Sequence, residues 1–120
     1  MKPFSQSWIA SIKPGKQRKY RANAPLHIKK TFLAAHLSKE LRTKHKTRSI
    51  TLRKGDTVKI MRGQYKGKAG KIQRISIKQG IAFIEGIEFK KRDGTKSIYP
   101  INPSNLMITE LNTEDKRRLK

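Results

Sequence analysis

The sequence predicts a mainly β protein: one small curled barrel with a basic, partly helical N-terminal extension and a short C-terminal helix or tail. Three observations predict it. From Gly55 onward, short runs rich in β-branched residues are separated by glycine or turn signals at Arg62-Gly63, Gln79-Gly80, Asp93-Gly94 and Asn102-Pro103, the spacing of short antiparallel strands. Most aliphatic residues fall in that same stretch. Residues 1–48, in contrast, hold 13 Lys and Arg against the single acid Glu40 and show no strand alternation. The division expected is a basic extension over 1–48, the barrel over 49–111 and a charged tail over 112–120.

In the extension, the pattern admits a helix around Pro3–Ile12, broken at Pro14-Gly15, and KPGKQRKYR (13–21) reads as a strand-less basic arm because it lacks apolar periodicity. Asn23 is placed to cap a helix that starts near Ala24-Pro25, since proline is tolerated in a first turn. That helix continues through LHIKKTFLAAHL, with Leu26, Leu33 and Leu37 near one face and Ile28, Phe32 and Ala35 near another. Ser38 suits the N-cap of a further short turn, SKELRTKHK.

In the barrel, Val58 and Ile60 point one way and Thr57 and Lys59 the other, as in a half-buried strand. Ile75 and Ile77 share a face with Ile72 out of phase, a conflict that a β-bulge or a strong local twist resolves. The run IAFI at 81–84 is apolar throughout and suits a strand covered on both faces, and Asp93-Gly94 is a strong hairpin signal. About five short strands in some 60 residues are too few for two full sheets, and curling into one barrel removes most exposed edges. The core expected comprises Ile50, Val58, Ile60, Ile72, Ile75, Ile77, Ala82, Ile84, Ile87, Ile98, Leu106 and Ile108.

The composition excludes several functions. No apolar run approaches the ~20 residues of a membrane helix. The first apolar residues are scattered among polar ones, unlike a signal peptide. There is no cysteine, so disulfides, zinc fingers and thiol catalysis are excluded. His27, His36 and His45 are spaced nine apart, about two and a half helical turns, so neighbours face opposite ways and do not form a metal site. The acids of the barrel sit beside turns and strand ends, with no paired carboxylates and no Ser-His-acid arrangement. Neither an enzyme nor a cofactor is expected.

What remains is charge. Lys and Arg number 30 against 8 Asp and Glu, a formal net charge of +22. Such a surplus has few internal partners, and a polyanion completes it. The densest constellation is KGDTVKIMRGQYKGKAGKIQRI (54–75), where Gly63, Gly67 and Gly70 punctuate a loop bearing Arg62, Tyr65, Lys66, Lys68 and Lys71. Glycines let backbone amides approach an anion, and the cations neutralise phosphates around it. The spacing is not that of a nucleotide-binding phosphate loop, because Gly70-Lys71 is followed by Ile72 instead of Ser or Thr.

The window from Arg53 to about Ile84 resembles the KOW motif, with Gly55, Val58, Ile60, Gly63, Gly67, Gly70, Ile72 and Ile75 at the expected places. NAPLHIKKTFLAAHLSKELRTKHKTRS (23–49), RKGDTVKIMRGQYKGKAGKI (53–72) and INPSNLMIT (101–109) are together similar to the archaeal type of the universal large-subunit ribosomal protein twenty-four family, called twenty-six in eukaryotes. The short C-terminal segment leans towards the archaeal form. The resemblance implies an SH3-like barrel that binds large-subunit ribosomal RNA near its 5′ end, assembles early and sits near the peptide exit tunnel. It also implies a cytoplasmic location on the ribosome beside neighbouring ribosomal proteins and factors docking at the tunnel, with no membrane or small-molecule partner. Two departures stand out: Asn102 where histidine is expected, and Thr47 where glycine is usual.

The candidate RNA contacts are Lys13, Lys16, Arg18, Lys19, Arg21, His27, Lys29 and Lys30 in the first part of the extension, and Lys39, Arg42, Lys44, Lys46 and Arg48 in the second. In the barrel they are Arg53, Lys54, Arg62, Tyr65, Lys66, Gly67, Lys68, Lys71, Lys90, Lys91 and Arg92. Trp8 and Tyr20 are placed to stack on bases. Charge alone does not separate RNA from DNA, so a DNA-compacting protein is the rival. A transcription elongation factor with a KOW motif would carry a mixed α/β domain before it, which 48 basic residues do not supply.

Overall fold

Seven strands carry the fold among the described residues, against about five expected: one of them lies in a stretch that reads as helix in the sequence, and another opens the expected barrel ahead of Gly55. The computed structural model describes residues 4–5 and 11–119. In chain order the elements are α1 (Pro14–Asn23), α2 (Leu26–Lys29) running into a 3-10 turn (Lys30–Leu33), β1 (Ala34–Leu37), α3 (Lys39–His45), β2 (Ser49–Thr51), β3 (Thr57–Ile60), β4 (Ala69–Ser76), β5 (Ile81–Lys90), β6 (Lys96–Ile101), a 3-10 turn (Pro103–Asn105) and β7 (Leu106–Glu110). Trp8 and most of the helix expected over Pro3–Ile12 lie outside the described residues.

The 13–21 stretch is a helix and not an irregular arm. Pro14 starts α1 instead of breaking one, since its missing N–H is not needed in the first turn. Unbranched Lys, Gln and Arg side chains then favour the helix without any apolar face, and α1 buries none of its residues. Asn23 ends this helix and caps nothing after it. Pro25 drives Ala24 into extended backbone (φ −60°, ψ 138°), and α2 begins only at Leu26. Aromatic contacts hold α1: the Tyr20 ring lies 4.9 Å from Phe4 and 6.4 Å from Phe32, and the Arg21 guanidinium sits 5.3 Å above Phe32.

The helix expected through LHIKKTFLAAHL ends at Leu33, and AAHL is a strand. Leu33, Ala35 and Leu37 are buried. That period of two competes with the helical spacing, and burial between two neighbouring strands overrides the helix propensity of alanine. β1 pairs antiparallel with β2 and parallel with β7. Residues 33–37 therefore belong to the β core although they precede residue 49. Between β1 and β2, Ser38 caps α3 as expected, its Oγ accepting from the Leu41 amide. Lys46 closes α3 with φ 54°, so the left-handed residue is not Thr47, and glycine is not required there.

The strands form one mixed sheet in the order β2-β1-β7-β3-β4-β5-β6, with β2 and β6 at its ends. The pairing runs between these ends without returning from β6 to β2. The phase conflict in β4 is a bulge: its pairing with β5 shifts between Ile72 and Arg74, so Ile72 is buried and Ile75 also packs on the core. β5 bends more sharply, its register against β6 shifting between Phe83 and Glu88 around Gly86 (φ 79°). Ala82, Phe83 and Ile84 are buried in succession, and the outer side of Phe83 is covered by Arg74, whose guanidinium lies 4.4 Å from the ring.

Of the expected core, Val58, Ile60, Ile72, Ala82, Ile84, Ile87, Leu106 and Ile108 are buried, and Ala35, Leu37, Leu52 and Ile101 complete the cluster. Ile50, Ile75, Ile77 and Ile98 are half-buried. Asp56 is completely buried, and the charged side chain that pairs with it, Arg118, is buried as well. The Asp56 carboxylate accepts from the amides of Arg53 and Asn112 at 2.9 Å each. It also takes both terminal nitrogens of Arg118, Nη1 on Oδ1 and Nη2 on Oδ2. Arg118 donates further to the carbonyls of Asn112 and Thr51, both at 3.0 Å. The tail is thus pinned beneath the turn that precedes β3.

Removing one partner of a fully buried ion pair costs about 3–5 kcal/mol. Asp56→Asn should therefore lower unfolding stability by roughly that much in urea titrations, and Asp56→Asn/Arg118→Met should recover part of the loss. A single-variant loss below about 1 kcal/mol would mean that the pair is not a lock.

A second pair is exposed. The Arg53 guanidinium lies 2.5 Å from the Asp115 carboxylate, and this hydrogen bond, followed by the Arg117 amide, holds the Asp115 carboxyl below the usual aspartate range. A carboxyl depressed in the folded state stabilises above its unfolded pKa, and that contribution disappears as the pH falls through the lower folded value. Arg53→Gln should accordingly raise the Asp115 midpoint in a carboxyl-carbon NMR titration. An unchanged midpoint would assign the depression to the Arg117 amide alone.

Candidate nucleic-acid interface

The glycine-rich loop joins β3 to β4 and is closed by its own backbone. Ile60 N–H donates to Lys68 at 2.9 Å, and Gly67 N–H donates back to Ile60 at 2.8 Å. Met61 N–H donates to Asn105 at 2.8 Å, which ties the loop to the start of β7. Gly63 and Gly67 take φ of 97° and 89° with open space where a Cβ would stand. They fit the requirement for left-handed backbone facing solvent. Gly70 serves a different need. A Cβ there would lie 2.8 Å from the Glu85 carbonyl, so its absence lets β4 approach β5.

Tyr65 attaches this loop to the arm formed by β5 and β6. Its hydroxyl donates to the Glu88 carbonyl at 3.1 Å, its ring lies 5.0 Å from Tyr99, and the Lys68 ammonium sits 5.1 Å above it. Tyr99 meets Phe89 edge-on at 6.0 Å. At the end of the arm, Lys91 N–H donates to Thr95 and Gly94 N–H donates to Lys91. With Gly94 at φ 91°, this is a tight turn followed by a left-handed residue, a common three-residue hairpin. Asp93 accepts from the Thr95 hydroxyl at 2.7 Å and amide at 3.0 Å, which holds its carboxyl below the usual range. The fold therefore brings Arg62, Tyr65, Lys66, Gly67 and Lys68 together with the arm that carries Lys90, Lys91 and Arg92.

A second cationic group forms beside the extension. Arg21, Lys29 and Phe32 line a cleft of about 160 Å³ with Lys78, Gly80 and Asn102. Asn102 also lines a cleft of about 150 Å³ between Gly63, Tyr65, Tyr99 and Asn105, so the two clefts meet at this residue. The Asn102 side chain accepts from the Ser104 amide at 3.1 Å and hydroxyl at 3.0 Å. It caps the Pro103–Asn105 turn, a local role that asparagine performs well.

The other candidates stand apart. Lys13, Lys16, Arg18 and Lys19 are exposed on or just before α1, and His27 and Lys30 are exposed on the turns that follow. Lys39, Arg42, Lys44, Lys46 and Arg48 are exposed on or just after α3, where Arg42 Nε donates to the Leu37 carbonyl at 2.9 Å. Lys71 is exposed on β4, and Lys54 precedes β3 next to Arg53, which is engaged by Asp115. The sequence reading missed Tyr99, Phe89 and Lys78, because their meeting with the loop or the extension depends on the bend in β5. Among the described residues no cluster of His, Asp and Glu has metal-site geometry, and no helix is long and apolar enough to cross a membrane.

Residues 11–120 match the family described as ribosomal protein twenty-six of eukaryotes and its archaeal form, protein twenty-four. The large ribosomal subunit protein uL24 of Methanosarcina barkeri is 48% identical over 110 residues, covering 92% of this chain and 95% of that protein. The protein of the same name from Methanospirillum hungatei is 48% identical over 110 residues, covering 92% of each. A match of this extent carries the glycine loop, the strands on either side and the tail in one alignment. The chain belongs to this family of ribosomal proteins, twenty-six in eukaryotes and twenty-four in archaea, which are structural proteins and not enzymes.

Proposed function

We propose that the chain is a structural component of the large ribosomal subunit that binds the subunit's RNA directly through the glycine loop and the β5–β6 arm. One observation carries this reading. Only two ion pairs form among the described residues, while the sequence holds 30 Lys and Arg. Among the described residues Arg62 and Lys66 have no hydrogen bond or ion pair from their side chains, and Lys68 contacts only the Tyr65 ring. Unpaired cations around exposed, positive-φ glycines are what phosphate contact requires. Arg21, Lys29 and Lys78 extend the surface along the second cleft.

The finer expectations follow from the family resemblance. They are binding near the 5′ end of the RNA, early assembly, a position close to the exit tunnel beside other ribosomal proteins and docking factors, and a cytoplasmic ribosome. We read the sheet as an SH3-like barrel bearing the KOW motif, because bulges in β4 and β5 bend it at two places around one apolar cluster. Of the extension over 1–48, β1 belongs to the sheet, and the described residues on either side of it then supply an RNA-facing layer, while the tail over 112–120 closes the turn before β3.

Salt dependence tests the proposal. Each phosphate contact removed lowers the slope of log affinity against log salt by about 0.7–0.9. Lys66→Ala and Lys68→Ala should each reduce the slope by about that much on a large-subunit RNA fragment, with a modest loss of affinity for any RNA sequence. Unchanged slopes would make these solvated charges without an RNA role. Equal binding to duplex DNA would favour the rival reading.

A further inference from the structure

We propose that the cleft between the glycine loop and β6 receives one unstacked base of single-stranded RNA, with Tyr99 as its stacking platform. This deepens the RNA-binding reading and rests on it. Three observations converge on the cleft. Its volume is about 150 Å³, too small for a cofactor-sized ligand at ~300–1,000 Å³ but similar to cavities that accept a single aromatic ring. Tyr99 is 37% exposed and Phe89 40% exposed, unusual for rings on a sheet whose other solvent-facing positions are largely charged. Tyr65 and Phe89 brace Tyr99 at 5.0 Å and 6.0 Å, so the ring is held at a fixed angle instead of swinging freely.

The rim chooses the ligand. Arg62, Gln64 and Asn105 line the cleft, and among the described residues none of their side chains has a hydrogen-bond partner in the protein. Guanidinium and amide groups offer donors and acceptors to the edge of a base, while an aromatic ring takes its face, which is how single-stranded RNA is read. The phosphates flanking such a base would meet Lys66 and Lys68 on the same loop. Proline-rich peptides also dock on aromatic grooves, but the cationic surroundings favour a polyanion.

The test uses the full chain and fluorescence anisotropy with a labelled oligouridylate of about eight nucleotides, within the span of single-stranded RNA sites, against an abasic strand of equal length. Wild type should bind the oligouridylate about tenfold more tightly than the abasic strand, a typical effect of one stacked base. Tyr99→Leu should abolish that preference while leaving the salt slope unchanged, and Tyr99→Phe should retain it. If Tyr99→Leu is misfolded by circular dichroism, upfield shifts of the Tyr99 ring protons on adding uridine monophosphate to wild type replace it as the readout. Equal affinity for the two strands, absent ring shifts, or displacement of the oligonucleotide by a proline-rich peptide would overturn the proposal. Failure to bind any large-subunit RNA fragment would instead defeat the underlying RNA reading, so the two failures remain distinct.

Discussion

A carboxylate sealed from water, in a chain of net charge +22, fixes the geometry around it. Asp56 takes two backbone amides and a forked guanidinium. A buried charge is tolerated only when its partners are complete, and here they come from three separate segments. The Arg53 amide sets the turn into β3, the Asn112 amide sets the exit from β7, and Arg118 brings back the tail. Gly55 lies against the same node: at φ 91°, a Cβ there would stand 2.8 Å from the side-chain amide nitrogen of Asn112. Next to this node Val58 is held opposite Ile108 and Gly70, and the apolar cluster grows outward from that register.

This arrangement decides where the charge goes. Asp56 and Asp115 are engaged by arginines, Asp93 by Thr95, and Glu110 by the Thr57 hydroxyl at 3.3 Å. These acids shape turns and strand ends, so they do not neutralise the glycine loop. The cations of that loop and of the β5–β6 arm repel one another, and on the proposed reading the phosphates of RNA would relieve that repulsion.

The β pattern from Gly55 to Ile108 was legible because period-two burial and turn glycines leave local marks. The bulge in β4 could be read from the misphased Ile72, and the hairpin from Asp93-Gly94. The extension was legible only in part. Leu33 and Leu37, four apart, fit both periods while Ala35 between them fits only the strand, and the choice of strand is made with β7, more than 60 residues away in the chain. α1 escaped notice because a helix of Lys, Gln and Arg needs no apolar stripe. Arg118 looked like one more tail charge, since nothing local marks it as the partner of Asp56. The glycine loop was found from composition, whereas the aromatic cleft beside it required the fold to bring Tyr65 and Tyr99 together.

A core locked by Asp56 thus holds out the glycine loop and the β5–β6 arm, the surface proposed here to bind RNA. Amide hydrogen exchange on the full chain, free and bound to a large-subunit RNA fragment, tests this most directly. Slow exchange is predicted in β3, β4, β5 and β7 in both states, with the amides at 62–65 and 92–93, which donate to no partner within the loops, fast in the free protein and slowed by RNA. RNA binding that leaves both loops fast, and instead slows only α3 and the turn at Arg53-Lys54, would contradict it.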